Sequence, residues 1–305
     1  TATGQGVNDM KGGNVVMIGA LKALAELGLL KNTQIIAYFT GDEERGGIPH
    51  YVARKDFIER AKTTDIALGF EGAQGLNTVA VARRGIGGWV LNVEAKTGHS
   101  AGIFSDGAGY GAIYEASRIV NEFRTQLASE QYLTFNPGLM SGGSEIKVDQ
   151  AAAKVEAVGK TNIISPAAYV AGDLRFMSEA QRDRAREKMR AIVSQVLNGT
   201  KSSISFSDGL PAMEPTEGNY SLVRFLDGVS KDLGIGPTKA GDPGSRGAGD
   251  ISDIAKYVDS LDGMGASGGG AHKPGETINL KEFPYLIQRA AIMIYRLTRK
   301  NAAVK

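Results

Sequence analysis

Five residues that can bind metal ions or move protons occur where separate segments of the chain are expected to meet, namely Asp9, Glu43, Glu44, Glu71 and His272. The three glutamates follow short apolar runs, and the histidine follows a glycine-rich stretch near the end of the chain. Ligands of an open parallel sheet collect outside the carboxyl ends of its strands. We therefore expect these acidic and imidazole groups to lie together at one edge of a sheet.

A cluster of carboxylates is unfavourable unless a cation neutralises it, so this set of residues indicates a metal ion. The sequence has no cysteine, and a metal must therefore be held by carboxylate oxygen and imidazole nitrogen, which zinc accepts. Taken singly, most of these residues have ordinary explanations: Asp9 as a helix cap, residues 41–46 as a solvated acidic turn, and His272 as a surface loop histidine. Glu71 is harder to explain in this way, because a glutamate at the end of an apolar run needs a partner.

The elements that must position these residues are visible in the apolar pattern. Residues 11–30 have the three-to-four spacing of an amphipathic helix, which Asp9 precedes. Residues 34–40 and 65–70 are typical of buried strands, and residues 48–62 are predicted to form the helix between them. A strand, a helix and a second strand in this order predict a parallel sheet.

The middle of the chain has a different pattern, which predicts an inserted domain. Between residues 85 and 208 the order is one strand, one helix, two strands, one helix and one strand, as in a ferredoxin-like domain. Helices return at residues 218–233 and 280–299, around an apolar run at 258–264. We therefore predict an α/β fold with a catalytic domain formed by residues 1–84 and 209–305 and an inserted α+β domain at residues 85–208.

Composition limits the classes of partner. The sequence has 305 residues, with 35 lysines and arginines against 33 aspartates and glutamates, so it provides no strong field for nucleic acid or an anionic membrane. No stretch approaches the roughly 18 uncharged apolar residues of a membrane-spanning helix. A small or peptide-like partner is expected, with no nucleic acid and no membrane. The compartment stays open between the cytoplasm and, if a signal peptide precedes residue 1, the periplasm or the exterior.

The motifs resemble the co-catalytic zinc peptidase and amidohydrolase family that contains glutamate carboxypeptidase, acetylornithine deacetylase, succinyl-diaminopimelate desuccinylase and aminoacylase. The similarity runs in order along the chain through residues 6–13 (GVNDMKGG), 41–44 (GDEE), Glu71, 98–102 (GHSAG), Asn162, 172–175 (GDLR), 249–250 (GD) and 270–272 (GAH). The fold implied by this resemblance is a zinc-exopeptidase-like catalytic domain with an inserted dimerisation or lid domain.

The resemblance implies a role for each metal-binding candidate. Asp9 would bridge two zinc ions, Glu44 and His272 would complete one metal site, and Glu71 would belong to the other. Glu43 would be the general base. Two zinc ions are expected in the complete enzyme, with cobalt or manganese as alternative metals.

Three residues of the inserted domain are implied to contact the substrate. His99 would polarise the carbonyl oxygen, in many relatives across a dimer interface, and Arg175 would bind the substrate carboxylate. Asn162 would provide a further polar contact. The alternatives are a loop histidine satisfied by its neighbours and a strand-edge arginine in a surface ion pair. The resemblance also implies a homodimer formed through the inserted domain.

The sequence departs from the family pattern in one respect. The family has an upstream His-x-Asp motif whose histidine binds the second zinc ion, and the three histidines of this sequence do not form it. We favour the interpretation that the sequence is a piece of a longer enzyme, because losing the first strands would expose apolar surface and strand edges. The alternative is a shortened relative with one compromised metal site, for which weak metal binding and little activity are expected.

The function predicted from the resemblance is zinc-dependent hydrolysis of an amide bond next to a free carboxylate. We favour a carboxypeptidase of the glutamate carboxypeptidase type that acts on small peptides or N-acyl amino acids, with an N-acyl amino acid deacylase of the same family as the alternative. A catalytically silent binding module is the third reading. A dehydrogenase is disfavoured, because residues 263–268 match G-x-G-x-x-G but are followed by residues 269–274, which cannot begin a helix.

Overall fold

A computed structural model describes residues 1–31 and 33–299. The chain forms two compact units. The discontinuous unit consists of Thr1–Arg83 and the chain from Met213 onward, and the inserted unit consists of Arg84–Ala212.

The first part of the discontinuous unit contains short strands and three helices. Its elements are β1 (Ala2–Thr3), α1 (Gly12–Glu26), α2 (His50–Ala53), α3 (Lys55–Ala61), β2 (Ile66–Leu68) and β3 (Thr78–Val79). The helix α1 forms where the apolar spacing predicted it, because Val16, Ala20 and Leu24 are one turn apart and are all buried. Gly28 follows it with a φ of +66°, which suits the end of a helix.

The inserted unit is an antiparallel sheet with two helices and a hairpin. Its elements are β4 (Gly85–Ala95), α4 (Ala112–Leu127), β5 (Thr134–Gly143), β6 (Glu145–Asp149), β7 (Lys154–Val158), β8 (Ala167–Phe176), α5 (Glu179–Ser194) and β9 (Thr200–Asp208). The sheet order is β5, β8, β4, β9. Trp89, Leu91 and Val93 alternate along β4 and face a core that includes Phe123 of α4 and Met189 of α5.

The close packing of this sheet requires glycine at one position. Gly172 of β8 lies opposite Trp89 of β4, and a Cβ atom at Gly172 would lie 2.1 Å from the carbonyl oxygen of Asn136 and 2.5 Å from the Trp89 ring. The indole Nε1 of Trp89 donates a hydrogen bond of 3.0 Å to the carbonyl oxygen of Asp173. The glycine of the sequence GDLR therefore makes room for the tryptophan.

The chain then completes the discontinuous unit. The remaining elements are α6 (Glu217–Asp232), β10 (Lys239–Ala240), β11 (Asp259–Leu261), β12 (Gly268–Gly269), β13 (Thr277–Ile278) and α7 (Phe283–Arg299). Two parallel ladders pair β2 with β11 and β3 with β10. An antiparallel sheet of three short strands has the order β1, β13, β12. Among the described residues, no helix is both long and apolar enough to cross a lipid bilayer.

The mixed α/β class is as predicted, but some elements differ from the sequence-based expectation. Residues 34–40 pair with no strand among the described residues, so the predicted strand there is wrong. Its side chains are only partly buried, and Phe39 is 52% exposed, whereas a central strand is covered on both faces. The predicted helix at 48–62 is divided into α2 and α3.

Candidate functional site

Three of the predicted metal ligands meet in the discontinuous unit. A carboxylate oxygen of Asp9, a carboxylate oxygen of Glu44 and a ring nitrogen of His272 all lie within 4.8 Å of one another. The Nε2 atom of His272 is 2.8 Å from Oδ2 of Asp9 and 3.1 Å from Oε1 of Glu44. Two ligands of one zinc ion, each about 2.1 Å from it, are separated by roughly 3–3.5 Å. The three side chains therefore suit a common metal ion.

The loop that carries Asp9 is held by a carboxylate from a distant part of the sequence. Asp9 lies in the turn Val7–Lys11 that leads into α1. Glu276 is 3% exposed, and its two oxygens accept hydrogen bonds from the backbone N–H groups of Gly6, Asn8 and Asp9. Burial acts to raise the pKa of Glu276, but these three donors outweigh it, and the pKa lies below its usual range.

The histidine has an unusual backbone conformation. His272 has a φ of +62°, in the left-handed region that residues other than glycine rarely adopt. Two glycines with positive φ, Gly270 and Gly275, flank the same turn, and the N–H of Lys273 closes it by donating to the carbonyl oxygen of Gly270 at 3.0 Å. Such conformations are concentrated at functional sites. This turn directs the imidazole ring to Asp9 and Glu44.

The acidic turn that carries Glu43 and Glu44 is anchored by a buried arginine. Asp42 precedes the turn and accepts a hydrogen bond of 2.7 Å from Nη1 of Arg54, while its other oxygen accepts the Gly47 N–H at 2.7 Å. Arg54 has a side chain only 3% exposed and also lies 3.1 Å from Asp250. One guanidinium group therefore connects the turn before Glu43 with the segment around residue 250.

Carboxylates outnumber the nearby positive groups at the site, and burial together with this excess of negative charge raises the pKa values of Glu43 and Glu71. Burial raises the pKa of Glu43 to about 7, with further contributions from Asp250, Glu44 and Asp9. Burial and the nearby Asp262 raise the pKa of Glu71 to about 7. The carboxylates have too little compensating positive charge to ionise together at low cost. A divalent cation would remove that deficit.

Glu71 is not one of the three residues whose donor atoms converge. It follows β2, and its carbonyl oxygen accepts a hydrogen bond of 3.0 Å from Gly265. Its carboxyl group is nonetheless within electrostatic range of Asp9 and Glu43. The structure therefore gathers Asp9, Glu44 and His272 into one cluster, with Glu43 and Glu71 as neighbouring acids.

The three candidates of the inserted unit are divided between two places. The Ser100 N–H donates a hydrogen bond of 2.9 Å to the carbonyl oxygen of Asn162, so His99 and Asn162 lie on adjoining segments. Nδ1 of His99 accepts the N–H of Ala101 at 3.2 Å. Arg175 lies on β8, which is an interior strand of the sheet, and its Nε donates to Asp173 at 2.9 Å. The ion pair of the alternative interpretation is present, but the strand is not an edge strand.

Several charged residues that hold the loops of the site in place were not predicted from the sequence. Arg83 is 5% exposed and forms a buried ion pair with Asp262, which is fully buried. Its Nη1 also donates to the carbonyl oxygen of Gly247 at 3.0 Å. The sequence feature that could have revealed this ion pair is Asp262 itself, because an aspartate within the apolar run at 258–264 needs a buried partner. Arg54 and Glu276 had no comparable local signal.

Carboxylates and a histidine gathered on loops of an α/β unit suit a metal ion that activates water for hydrolysis. The model of Peptidase family M20/M25/M40 matches residues 1–296. The chain belongs to this family, which confirms the resemblance found in the sequence motifs. It is thus a metal-dependent hydrolase of the metallopeptidase and amidohydrolase type.

Individual relatives agree with this assignment. The chain is 26% identical over 302 residues to carboxypeptidase G2 from Pseudomonas sp. (strain RS-16), an alignment that covers 97% of this chain and 67% of the relative. The fold is similar to that of a tripeptidase from Staphylococcus aureus subsp. aureus Mu50, with a TM-score of 0.71, 18% identity, and coverage of 97% of this chain and 72% of the other. It is also similar to the Bacillus subtilis YxeP protein, described as a dinuclear metal-binding peptidase of the M20 family, with a TM-score of 0.66, 14% identity, and coverage of 93% and 70%.

Proposed function

We propose that the protein hydrolyses an amide bond next to a free carboxylate in a zinc-dependent reaction, as a carboxypeptidase of small peptides or N-acyl amino acids. The observation that carries this proposal is the convergence of Asp9, Glu44 and His272. Carboxypeptidase G2, the relative at 26% identity, supports the choice of a carboxypeptidase. An N-acyl amino acid deacylase shares the same requirement for a carboxylate beside the amide.

The residues present fit a divalent metal ion. Oxygen and imidazole donors suit zinc, and the same donor set accepts cobalt or manganese. Asp9, Glu44 and His272 would hold one ion, and Asp9 and Glu71 would contribute to a second. A bound ion of this kind acidifies a water molecule and polarises the amide carbonyl.

Glu43 is proposed as the general base. It is the neighbour of Glu44 in the turn Glu43–Arg45, is half-buried, and forms no ion pair among the described residues. Its carboxylate would take a proton from the attacking water and pass it to the nitrogen of the leaving amine. The two consecutive glutamates would thus have different roles: Glu44 would bind the metal and Glu43 would transfer the proton.

The inserted unit is proposed to provide contacts with the substrate. Because Nδ1 of His99 accepts a backbone N–H, the neutral ring carries its proton on Nε2, which could then donate to the developing oxyanion. Arg175 uses only Nε in its hydrogen bond with Asp173, so its two terminal nitrogens can bind a carboxylate in bidentate fashion. Asn162 would add a polar contact.

The inserted unit is also proposed to serve as the dimerisation or lid domain. Strands β5 and β9 form the two edges of its sheet, and an edge strand presents unpaired N–H and carbonyl groups. Pairing of such edges between two copies would give a homodimer, which sedimentation at several protein concentrations would detect.

The proposed function is tested by a substrate screen combined with replacement of Glu43, the proposed general base. The protein supplied with zinc, cobalt or manganese should release amino acids from dipeptides with a C-terminal glutamate, and N-acyl amino acids should be assayed in parallel. Glu43→Gln should lower kcat by at least about 100-fold, since general acid–base catalysis typically contributes 10²–10⁴-fold, while calorimetry shows unchanged zinc affinity. Near-normal turnover by this variant would show that Glu43 is not the base.

A further inference from the structure

The side chain of Glu276 accepts three hydrogen bonds from the backbone of the Asp9 loop. Its Oε1 accepts the N–H groups of Asn8 and Asp9, each at 2.8 Å, and its Oε2 accepts the N–H of Gly6 at 2.6 Å. The donors precede it by 267 to 270 positions in the sequence. One carboxylate therefore fixes the path of three of the four residues from Gly6 to Asp9.

The backbone on both sides of Glu276 is held as well. Its carbonyl oxygen accepts the Gly4 N–H at 2.9 Å, and the next two residues form β13, which pairs with β1 and β12. The carboxylate thus projects from an anchored segment. His272 lies four positions earlier in the sequence, so the residue that holds the Asp9 loop and the histidine that contacts Asp9 belong to the same short stretch of chain.

No cation balances this buried carboxylate among the described residues. Glu276 is 3% exposed and appears in no ion pair, with Lys11 acting only through longer-range attraction. A buried charge is costly unless hydrogen bonds or an opposite charge compensate it, and N–H donors to a carboxylate are among the stronger hydrogen bonds. The loop N–H groups and the carboxylate therefore depend on each other.

We propose that Glu276 is a positioning residue of the metal centre, which fixes the Asp9 loop against His272 so that both side chains face one divalent cation. It touches neither the metal nor the substrate. This inference rests on the proposed function, because it assigns the Asp9–His272 geometry to metal binding.

The test measures zinc affinity and loop protection in Glu276→Ala and Glu276→Gln. Calorimetry should show a loss of 10- to 100-fold in zinc affinity for Glu276→Ala, as is typical when a partner that orients a metal ligand is removed. In the metal-free protein, amide exchange followed by NMR should become faster at Gly6, Asn8 and Asp9. Glu276→Gln retains one acceptor oxygen but replaces the other by an amide donor, so we expect an intermediate loss of zinc affinity. If Glu276→Ala does not fold, Glu276→Gln provides the test.

A matched control separates positioning from general stability. Asp227 in the same unit also accepts a backbone N–H, that of Thr238 at 2.9 Å, and among the described residues it forms no hydrogen bond or ion pair with the Asp9 loop. Asp227→Ala should lower the melting temperature without changing zinc affinity or the exchange at Gly6, Asn8 and Asp9.

The outcomes distinguish the two proposals. Zinc affinity of Glu276→Ala within about twofold of the unsubstituted protein, or unchanged exchange at the three amides, would overturn the role of Glu276 and leave the proposed function standing. Absence of zinc binding by the unsubstituted protein would overturn both.

Discussion

The two units of the chain bury different kinds of side chain. The inserted unit has a large apolar core in which Trp89, Leu91, Phe123 and Met189 are at most 2% exposed. Its long strands each pair along nearly their whole length. Apolar burial of this kind is the main stabilising contribution in a folded domain.

The discontinuous unit instead contains most of the buried charges among the described residues, which are Arg54, Arg83, Asp253, Asp262, Glu276 and Arg289. Its ladders are only two or three residues long. Buried charged groups seldom stabilise a protein relative to apolar replacements, but removing one partner is costly. The comparison indicates that the unit with the proposed metal-binding residues uses ion pairs and hydrogen bonds to fix the direction of its loops.

The largest effect should come from breaking the buried ion pair of the discontinuous unit. Arg83→Ala would leave Asp262 without its cation in a fully buried position, and we expect a loss of about 3–5 kcal/mol in the free energy of unfolding. Urea denaturation would measure it. Arg224, which pairs with Glu217 on the surface, is the control, and its replacement by alanine should cost less than about 1 kcal/mol. Both pairs lie in the discontinuous unit, so equal losses for the two variants would contradict the conclusion that this unit depends on its buried ion pair more than on a surface pair.

The residues that converge were easier to predict from the sequence than the residues that hold them. Glu44 and His272 stood out only as members of the ordered series of motifs that resembles the family, because each one alone fits an acidic turn or a surface loop. Glu71 was predicted in the same way but is not one of the three residues whose donor atoms converge. Arg54 and Glu276 could not be recognised in this way, since their function depends on contacts with residues distant in the sequence. A helical arginine and a loop glutamate have no unusual local pattern until the fold is known.

Contacts between distant parts of the sequence also limit how far the fold can be predicted. The strand β5 is hard to recognise in the sequence because Asn136, Pro137 and Gly138 are typical of a turn, and the structure accommodates them by a register shift between Pro137 and Leu139. Residues 146–158 have a strand-like pattern, and they form the hairpin of β6 and β7, which is separate from the four-stranded sheet. Alternation of apolar and polar residues indicates a strand but does not identify its partner.

Metal binding should stabilise one unit selectively. Zinc at about 100 times its Kd adds roughly 2.7 kcal/mol to the unit that binds it, and the proposed ligands Asp9, Glu44 and His272 lie in the discontinuous unit. Hydrogen exchange followed by mass spectrometry should show added protection in peptides around these residues and none in β4 or β8. A chelator should reverse the change, and Glu44→Gln should weaken it. Equal added protection in both units would show that the metal effect is not local.

The smallest effects are expected for the helix caps, whose removal should lower the free energy of unfolding by similar amounts in the two units. Ser178 caps α5 in the inserted unit by accepting the Gln181 N–H at 3.0 Å, and Thr216 caps α6 in the discontinuous unit by accepting the Asn219 N–H at 3.1 Å. Ser178→Ala and Thr216→Ala should each cost about 1 kcal/mol by urea denaturation, while Ser178→Thr and Thr216→Ser should cost less. Similar losses would mean that local helix signals act alike in both units, so that the contrast between them comes from buried charge. A cap effect confined to one unit would show instead that their secondary structure is stabilised differently.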